Sequence, residues 1–187
     1  RIEELHKKQK DILEVVKIYT SEYTFQKEIS ASGEINLSQA TTNDSWMMSG
    51  LNLQNFQGHL YLQGINNTFL KKKIGKSKFS ISRIMLSPLI FEDYIYFSDD
   101  TGSVFKINKA GKIVWKKNIY RKIYKKIHKK LNFKIYKNKI YVSDNIGFIY
   151  SLNIDNGELY WIKNHGVPLK SNIKVYDQKI YLINQDN

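Results

Sequence analysis

The stretch IYVSDNIGFIYSLNIDNGELYW, Ile140–Trp161, repeats an earlier part of the chain. The segment IYFSDDTGSVFKIN, Ile95–Asn108, aligns with its first fourteen residues at a constant offset of 45, with six identities. The match continues from AGKIVW to NGELYW at an offset of 46, so the second copy has one extra residue, which belongs in a turn. A repeat of this length is typical of one propeller blade.

Two further copies are incomplete. A third begins at KIYLINQDN, Lys179–Asn187, and an earlier one ends at LKKKIG, Leu70–Gly75. We therefore expect the chain to stop in the middle of a repeat and to be part of a longer protein.

Each complete copy contains short strand patterns separated by glycine turns. Gly102 and Gly111 mark the turns of one copy, and Gly147 and Gly157 mark those of the next. Glycine permits the positive φ that hairpin turns require. Four strands in about 45 residues is the content of one propeller blade. The predicted fold is all-β, an incomplete β-propeller of about three blades of four antiparallel strands.

Ten residues recur as a signature of the repeat. We interpret them as residues that maintain the blade, because large tryptophans at the end of the last strand can fill the wedge between neighbouring blades. We predict no catalytic, cofactor-binding or metal-binding residues among them. The signature comprises Tyr96, Asp99, Gly102, Gly111, Trp115, Tyr141, Asp144, Gly147, Gly157 and Trp161.

Residues 1–45 differ from the repeats and are predicted to be an N-terminal extension and linker. Apolar residues such as Leu5, Ile12 and Val16 lie at loosely helical spacing, which favours a short helix over the first twenty residues. Residues 30–45 are mostly small or polar and predict an extended linker. The partial propeller is predicted to span residues 46–187, and the missing N-terminal methionine indicates a cropped N-terminus.

Composition excludes several functions. The chain has 187 residues, of which 42% are hydrophobic, enough for one domain with a core. Because it has no cysteine, disulfides, thiolate zinc sites and thiol catalysis are excluded. No apolar run approaches the roughly 20 residues that cross a bilayer.

The positive charge is concentrated in the middle of the chain. The net charge is +13, and residues 71–139 hold 20 basic and 4 acidic side chains. The run YRKIYKKIHKKL, Tyr120–Leu131, first suggests a nucleic-acid or membrane contact. The repeat places it between two blades, so we interpret it as a connection with a solvated basic face, with Ile123, Ile127 and Leu131 packed on the blade edge.

Metal and acid–base sites have weaker support. Asp144, Asn153, Asp155 and Glu158 offer oxygen ligands, but their spacing does not reproduce a known calcium loop, and a turn explains them better. The four histidines are scattered without paired spacing.

The repeat resembles that of the pyrroloquinoline-quinone-like β-propellers. The match rests on residues spread over one copy: Tyr141, Asp144, Gly147, Tyr150, Leu152, Gly157 and Trp161. The preceding segment, Glu34–Leu60, is similar to the region before the first blade in the propeller lipoproteins of the outer-membrane β-barrel assembly machinery. That similarity rests on Trp46, Gly50, Asn55, Gly58, His59 and Leu60, with Met47 in place of the usual proline.

This resemblance implies a propeller of about eight blades, lipid-anchored in its full-length form on the periplasmic face of the outer membrane. It implies a scaffold without catalysis or cofactor. The expected partners are the central β-barrel subunit of the machinery and unfolded barrel substrates, and no nucleic acid is expected.

Two alternative functions remain open. One is a fragment of a quinone-dependent dehydrogenase propeller from the same superfamily, against which the lack of cysteine counts. The other is a nucleic-acid-binding surface formed by the basic run and its tyrosines.

Overall fold

The computed structural model describes residues 33–34, 36–64, 68–78, 87–124 and 126–186. The predicted N-terminal helix lies outside these residues. The chain divides into two compact units, Arg1–Leu37 and Ser38–Asn187, and the fold described below belongs to the second. The predicted domain boundary before Trp46 stays a prediction.

Two four-stranded antiparallel sheets form the body of the second unit, each with its strands in sequence order. The first blade consists of β1 (Leu89–Phe91), β2 (Tyr94–Ser98), β3 (Ser103–Asn108) and β4 (Ile113–Asn118). The second blade consists of β5 (Leu131–Tyr136), β6 (Lys139–Asp144), β7 (Phe148–Asn153) and β8 (Leu159–Asn164). A short 3-10 turn, Lys122–Tyr124, lies in the connection between them. The predicted four-stranded blades are confirmed.

The two blades share one register. Tyr96, Lys106 and Trp115 form one row across the first sheet, and Tyr141, Ser151 and Trp161 form the matching row across the second. The register shifts after Lys106 in one blade and after Ser151, 45 residues later, in the other. Repetition in the sequence is therefore repeated in the backbone, including its irregularity.

A third sheet contains two strands, β9 (Lys174–Tyr176) and β10 (Lys179–Tyr181), paired as β5 and β6 are. They correspond to the first two strands of a blade. The earlier repeat predicted at Leu70–Gly75 contains no strand.

The core lies between the blades. In β3 and β7 the first five of six residues are buried, because a central strand is paired on both edges and covered by packed chain on both faces. Leu89 and Tyr96 of the first blade belong to the same buried cluster as Leu131 and Ile140 of the second.

Residues 46–48, named here the leading segment, run along the first strands of both blades. Trp46 exchanges two backbone hydrogen bonds with Ile90 of β1, at 2.6 and 3.0 Å. One residue later, the carbonyl of Met47 accepts a bond of 2.8 Å from the amide of Ile135 in β5. The free edges of both first strands are therefore paired at these points.

Within the described part of the chain, no helix has the length and apolar character needed to span a membrane.

Candidate interaction site at the blade junction and the outer strands

Asp144, at the turn between β6 and β7, links two blades through its two carboxylate oxygens. One oxygen accepts hydrogen bonds of 2.8 to 2.9 Å from the amides of Ile146, Gly147 and Phe148. The other accepts a bond of 2.5 Å from the hydroxyl of Tyr120, which belongs to the connection from the preceding blade. Asp144 is completely buried, so every bond replaces water that the carboxylate has lost.

Asp99 occupies the matching turn of the first blade and uses its oxygens in the same way. One oxygen accepts amide bonds from Thr101 and Ser103 at 3.1 and 2.9 Å. The other accepts a bond of 3.1 Å from the amide of Lys76, in the segment that precedes this blade. Each of these two signature aspartates therefore bonds to the amides of its own turn and to the chain segment that precedes its blade.

Tyr120 packs with its ring between the two blades. Its ring packs edge-on to Tyr150, with 5.7 Å between centroids, and against the turn at Gly102, where an added Cβ would lie 2.3 Å from the ring. Burial, together with the charge of Asp144, raises the pKa of Tyr120 well above its ordinary value. The phenol is therefore held as a hydrogen-bond donor.

Trp115 joins the blades on the opposite side of the junction. Its indole N–H donates a bond of 3.1 Å to the carbonyl of Ile154, in the turn after β7. The ring covers Gly157, where an added Cβ would come within 2.7 Å of it. Gly157 also has φ of +72°, which glycine adopts without cost.

Trp161 is the counterpart of Trp115 in the second blade. Each tryptophan packs on the tyrosine of its row: Trp115 on Tyr96 at 6.4 Å and Trp161 on Tyr141 at 6.2 Å between centroids. Trp161 remains 37% exposed.

Lys106 is a junction residue that the sequence analysis missed. It is 5% exposed, and its ammonium donates a bond of 3.2 Å to the carbonyl of Ile154 and lies 3.9 Å from a carboxylate oxygen of Asp155. It also lies 4.0 Å from the centre of the Tyr94 ring. Burial lowers its pKa. The only sequence signal was that a lysine interrupts an apolar central strand, where the second blade has Ser151.

The oxygen-rich turn considered as a calcium loop binds its own backbone. Asn153 accepts amide bonds from Asp155 and Asn156 through its side chain, while Asp144 is engaged as described above. Across the described residues, no group of three or more acidic or histidine side chains is arranged to hold a metal ion.

The basic run forms the connection between β4 and β5, as interpreted from the sequence. Its packing differs from the expectation: Leu131 is buried, but Ile123 is 74% exposed and Ile127 is 44% exposed. Tyr120 and Tyr124 face the blade instead, and Tyr124 packs on Phe148 at 5.3 Å between centroids. The tyrosines take the packed positions because their rings meet the aromatic side chains of β7, Tyr150 and Phe148.

The outer strands, β4 and β8, are more exposed to solvent than the first strands, β1 and β5. All six residues of β8 are exposed, and five of the six in β4 are exposed. Four neighbouring residues of β8 are large and apolar or aromatic: Leu159, Tyr160, Trp161 and Ile162. Each outer strand is the last in its sheet, so one side of its backbone faces outward.

No protein-family model and no curated protein matches the chain. Solved structures do match. A europium-containing methanol dehydrogenase aligns with a TM-score of 0.57 and 18% identity over 73% of this chain and 27% of its own. The quinohemoprotein alcohol dehydrogenase from Comamonas testosteroni gives a TM-score of 0.53 and 15% identity over 75% and 23%.

BamB from Moraxella catarrhalis also aligns, with a TM-score of 0.42 and 17% identity over 52% of this chain and 29% of its own. The chain spans less than a third of each of these three solved structures. At such identities the dehydrogenase matches show the fold alone, and they agree with the repeat and its blades. The predicted fold is confirmed: the chain has the fold of part of a β-propeller.

Proposed function

We propose that this chain is part of a non-catalytic propeller scaffold that assists assembly and insertion of outer-membrane β-barrel proteins. The full-length protein would be lipid-anchored on the periplasmic face of the outer membrane and bind the central β-barrel subunit of the machinery. The proposal joins the resemblance of Glu34–Leu60 to the lipoproteins of that machinery with the exposed outer strands.

The observation that carries this proposal is the difference between the two sides of the blades. The first strands are paired by the leading segment, through Trp46 on Ile90 and Met47 on Ile135. The outer strand β8 is exposed along its whole length. An extended peptide has backbone groups to bond on the outer side, whereas the inner side is already occupied at the leading segment.

An incoming strand of a membrane barrel suits such an edge. Barrel strands alternate apolar and polar residues, and strand addition uses backbone hydrogen bonds for affinity while alternate side chains find apolar contacts. On β8, Tyr160 and Ile162 lie two residues apart and are 49% and 50% exposed. They offer contacts at the spacing of one face of a strand.

The orientation of β8 identifies one outward-facing donor. The amide of His165 bonds to the carbonyl of Gly147 at 2.8 Å, towards β7. Because amides alternate in direction along an antiparallel strand, the amide of Lys163 also faces β7 and that of Ile162 faces outward. Proline at position 162 would remove the outward donor and leave the ladder with β7 in place.

The test uses the full chain with a photo-crosslinking residue at Tyr160 and a barrel protein diluted from urea. Crosslinks to the barrel protein are expected, and Ile162→Pro should reduce them at least fivefold. Ile162→Thr, which keeps the amide, should leave them within twofold of the original. Equal crosslinking by all three proteins would contradict addition at this edge.

A second assay tests the non-catalytic part of the proposal. The dehydrogenases reported above share the fold, so the chain is incubated with pyrroloquinoline quinone, Ca²⁺, methanol or ethanol and an electron-accepting dye. No dye reduction above the protein-free control is expected. Alcohol-dependent turnover would contradict the scaffold proposal and favour the dehydrogenase alternative.

A further inference from the structure

The junction in front of the first blade departs from the pattern of the junction in front of the second. At the second junction, Trp115 covers Gly157 and Tyr120 reaches Asp144. The repeat places Leu70 at the position of Trp115 and Gly75 at that of Tyr120. Two large aromatic side chains are thus replaced by a leucine and a glycine.

The contacts of the smaller residues support this correspondence. Leu70 lies 3.0 Å from the position that a Cβ on Gly111 would take, as Trp115 lies against Gly157. A Cβ on Gly75 would lie 3.0 Å from the Cβ of Asp99, the counterpart of Asp144. The segment Leu70–Gly75 therefore packs where the repeat predicts. Its leucine and glycine fill much less of the junction than a tryptophan and a tyrosine do.

A cleft of about 540 Å³ occupies the space at this first junction. That volume is in the range of small-molecule sites. Its apolar surface includes Ile74, Phe105 and Ile113, and Phe105 is fixed by stacking on Phe97 with 5.1 Å between centroids. The cleft is open to solvent, and the ring of Phe105 forms its aromatic floor.

The remaining lining is strongly cationic. Among the described residues, five lysines from two separate segments line the cleft: Lys72, Lys73, Lys76, Lys112 and Lys116. The corresponding positions of the second junction hold one lysine, one asparagine, one arginine, one glutamate and one isoleucine: Lys117, Asn118, Arg121, Glu158 and Ile162. The formal charge is +5 at the first junction and +1 at the second, so the sequence changes that open the cleft coincide with changes that charge it.

These ammonium groups have no carboxylate to neutralise them among the described residues. The ion pairs there involve Lys106 and Lys109 instead. Asp99 lies beneath Gly75, but its oxygens are bonded to amides, including that of Lys76 at 3.1 Å. Lys116 lies over the Phe105 ring at 5.1 Å from its centre, at the edge of the floor.

We propose that this cleft binds a compact, multiply charged phosphate group. Lysines supply point charges and rotatable donors that suit phosphate oxygens, and five of them around one concave surface favour more than one negative charge. Ile113, which is 46% exposed, would contact the part of the ligand that carries the phosphate. The phosphate belongs either to a lipid headgroup or to a soluble compound, and this inference does not depend on the scaffold function.

The repeat provides a variant that should fold. Lys112→Glu with Lys116→Ile installs the residues that the second blade has at Glu158 and Ile162, and it lowers the net charge by three. Lys170→Glu with Lys179→Gln makes the same charge change at two exposed positions outside the cleft lining, one in the loop after β8 and one in β10. Calorimetric titration with pyrophosphate at low ionic strength compares the two.

Binding of pyrophosphate to the unmodified chain is expected, with affinity at least about tenfold lower in the cleft variant and within about twofold in the control. No binding by the unmodified chain, or equal losses in both variants, would overturn the proposal. Binding of duplex DNA that survives the cleft changes, without pyrophosphate binding, would also overturn it and indicate a nucleic-acid surface elsewhere.

Vesicles distinguish the two sources of phosphate. Flotation is compared between vesicles of phosphatidylcholine alone and vesicles that also contain phosphatidic acid, whose phosphate monoester can carry two negative charges. Cleft-dependent flotation with the anionic vesicles, competed by pyrophosphate, supports the cleft and assigns it to lipid headgroups. Cleft-dependent pyrophosphate binding without flotation supports the cleft and assigns it to soluble phosphates.

Discussion

The hydroxyl of Tyr120 lies 2.5 Å from a carboxylate oxygen of Asp144, joining the end of one blade to the completely buried turn of the next. Because the other oxygen of Asp144 is bonded to turn amides, this hydrogen bond satisfies the second oxygen of a buried charge. Removing the hydroxyl takes away this donor in a site that is closed to water.

Tyr120→Phe should therefore destabilise the chain by about 1.5–3 kcal/mol, the cost of losing a hydrogen bond to a charged group. Tyr124→Phe is the matched control, because the described residues make no hydrogen bond to its hydroxyl, and both changes retain the ring. Urea unfolding measures the difference. Similar losses in the two variants would mean that ring packing, not the hydrogen bond, dominates.

The contribution of Tyr120 to the free energy of unfolding should disappear at high pH. Its folded pKa is raised, chiefly by burial and then by the charge of Asp144, whereas the unfolded tyrosine ionises near pH 10. The stability it provides is fully present below that pH and is lost as pH rises above it, because only the unfolded state releases the proton.

Unfolding free energies of the unmodified chain and Tyr120→Phe at pH 8 and pH 11 check this. The advantage of the unmodified chain should shrink by up to about 1.4 kcal/mol per pH unit above pH 10. Comparing the two proteins cancels the other buried tyrosines and lysines, which they share. A constant difference across this range would show that Tyr120 ionises equally in both states.

Trp115→Ala and Trp161→Ala should differ although the residues hold the same place in the repeat. Trp115 loses an indole hydrogen bond to Ile154 and its contact with Gly157, so a cost of about 2–4 kcal/mol is expected. Trp161 is 37% exposed and should cost about 1 kcal/mol or less in this chain. Thermal unfolding of both variants provides the comparison, and equal costs would contradict the junction as described.

Gly157→Ala and Gly166→Ala separate a steric clash from backbone strain. The two glycines have nearly the same φ, +72° and +71°, so an added methyl costs about 1 kcal/mol of strain at each. Only at Gly157 does it also meet the Trp115 ring, while nothing lies within 4 Å at Gly166. Gly157→Ala should be the less stable variant by at least about 1 kcal/mol, measured by urea unfolding, and equal stabilities would place Trp115 elsewhere.

The blades were predictable because their signals are local and repeated. Strand alternation and turns such as those at Gly102 and Gly147 occur twice at one spacing, and both have positive φ. Even the extra residue of the second copy, which changes the alignment offset from 45 to 46, lies in the turn before β8. Comparison within a single chain was enough to define the fold.

The contacts between segments were less predictable. Ile123 was expected to pack on the blade, but Tyr120 and Tyr124 pack there, because side-chain direction in an irregular connection has no period to follow. Lys106 was missed because a buried lysine is recognisable only from its partners, which lie 48 residues away at Ile154. The pairing of the leading segment with two blades likewise has no sequence pattern.

That pairing bears on the order in which the chain folds. The bridge from Trp46 to Ile90 spans 44 residues and that from Met48 to Lys134 spans 86, whereas the hairpins within each blade join near neighbours. Loop closure over such distances costs entropy before any contact compensates for it, so the hairpins should form first. The leading segment is synthesised before both blades. It should nevertheless pair with them last, after the second blade has left the ribosome.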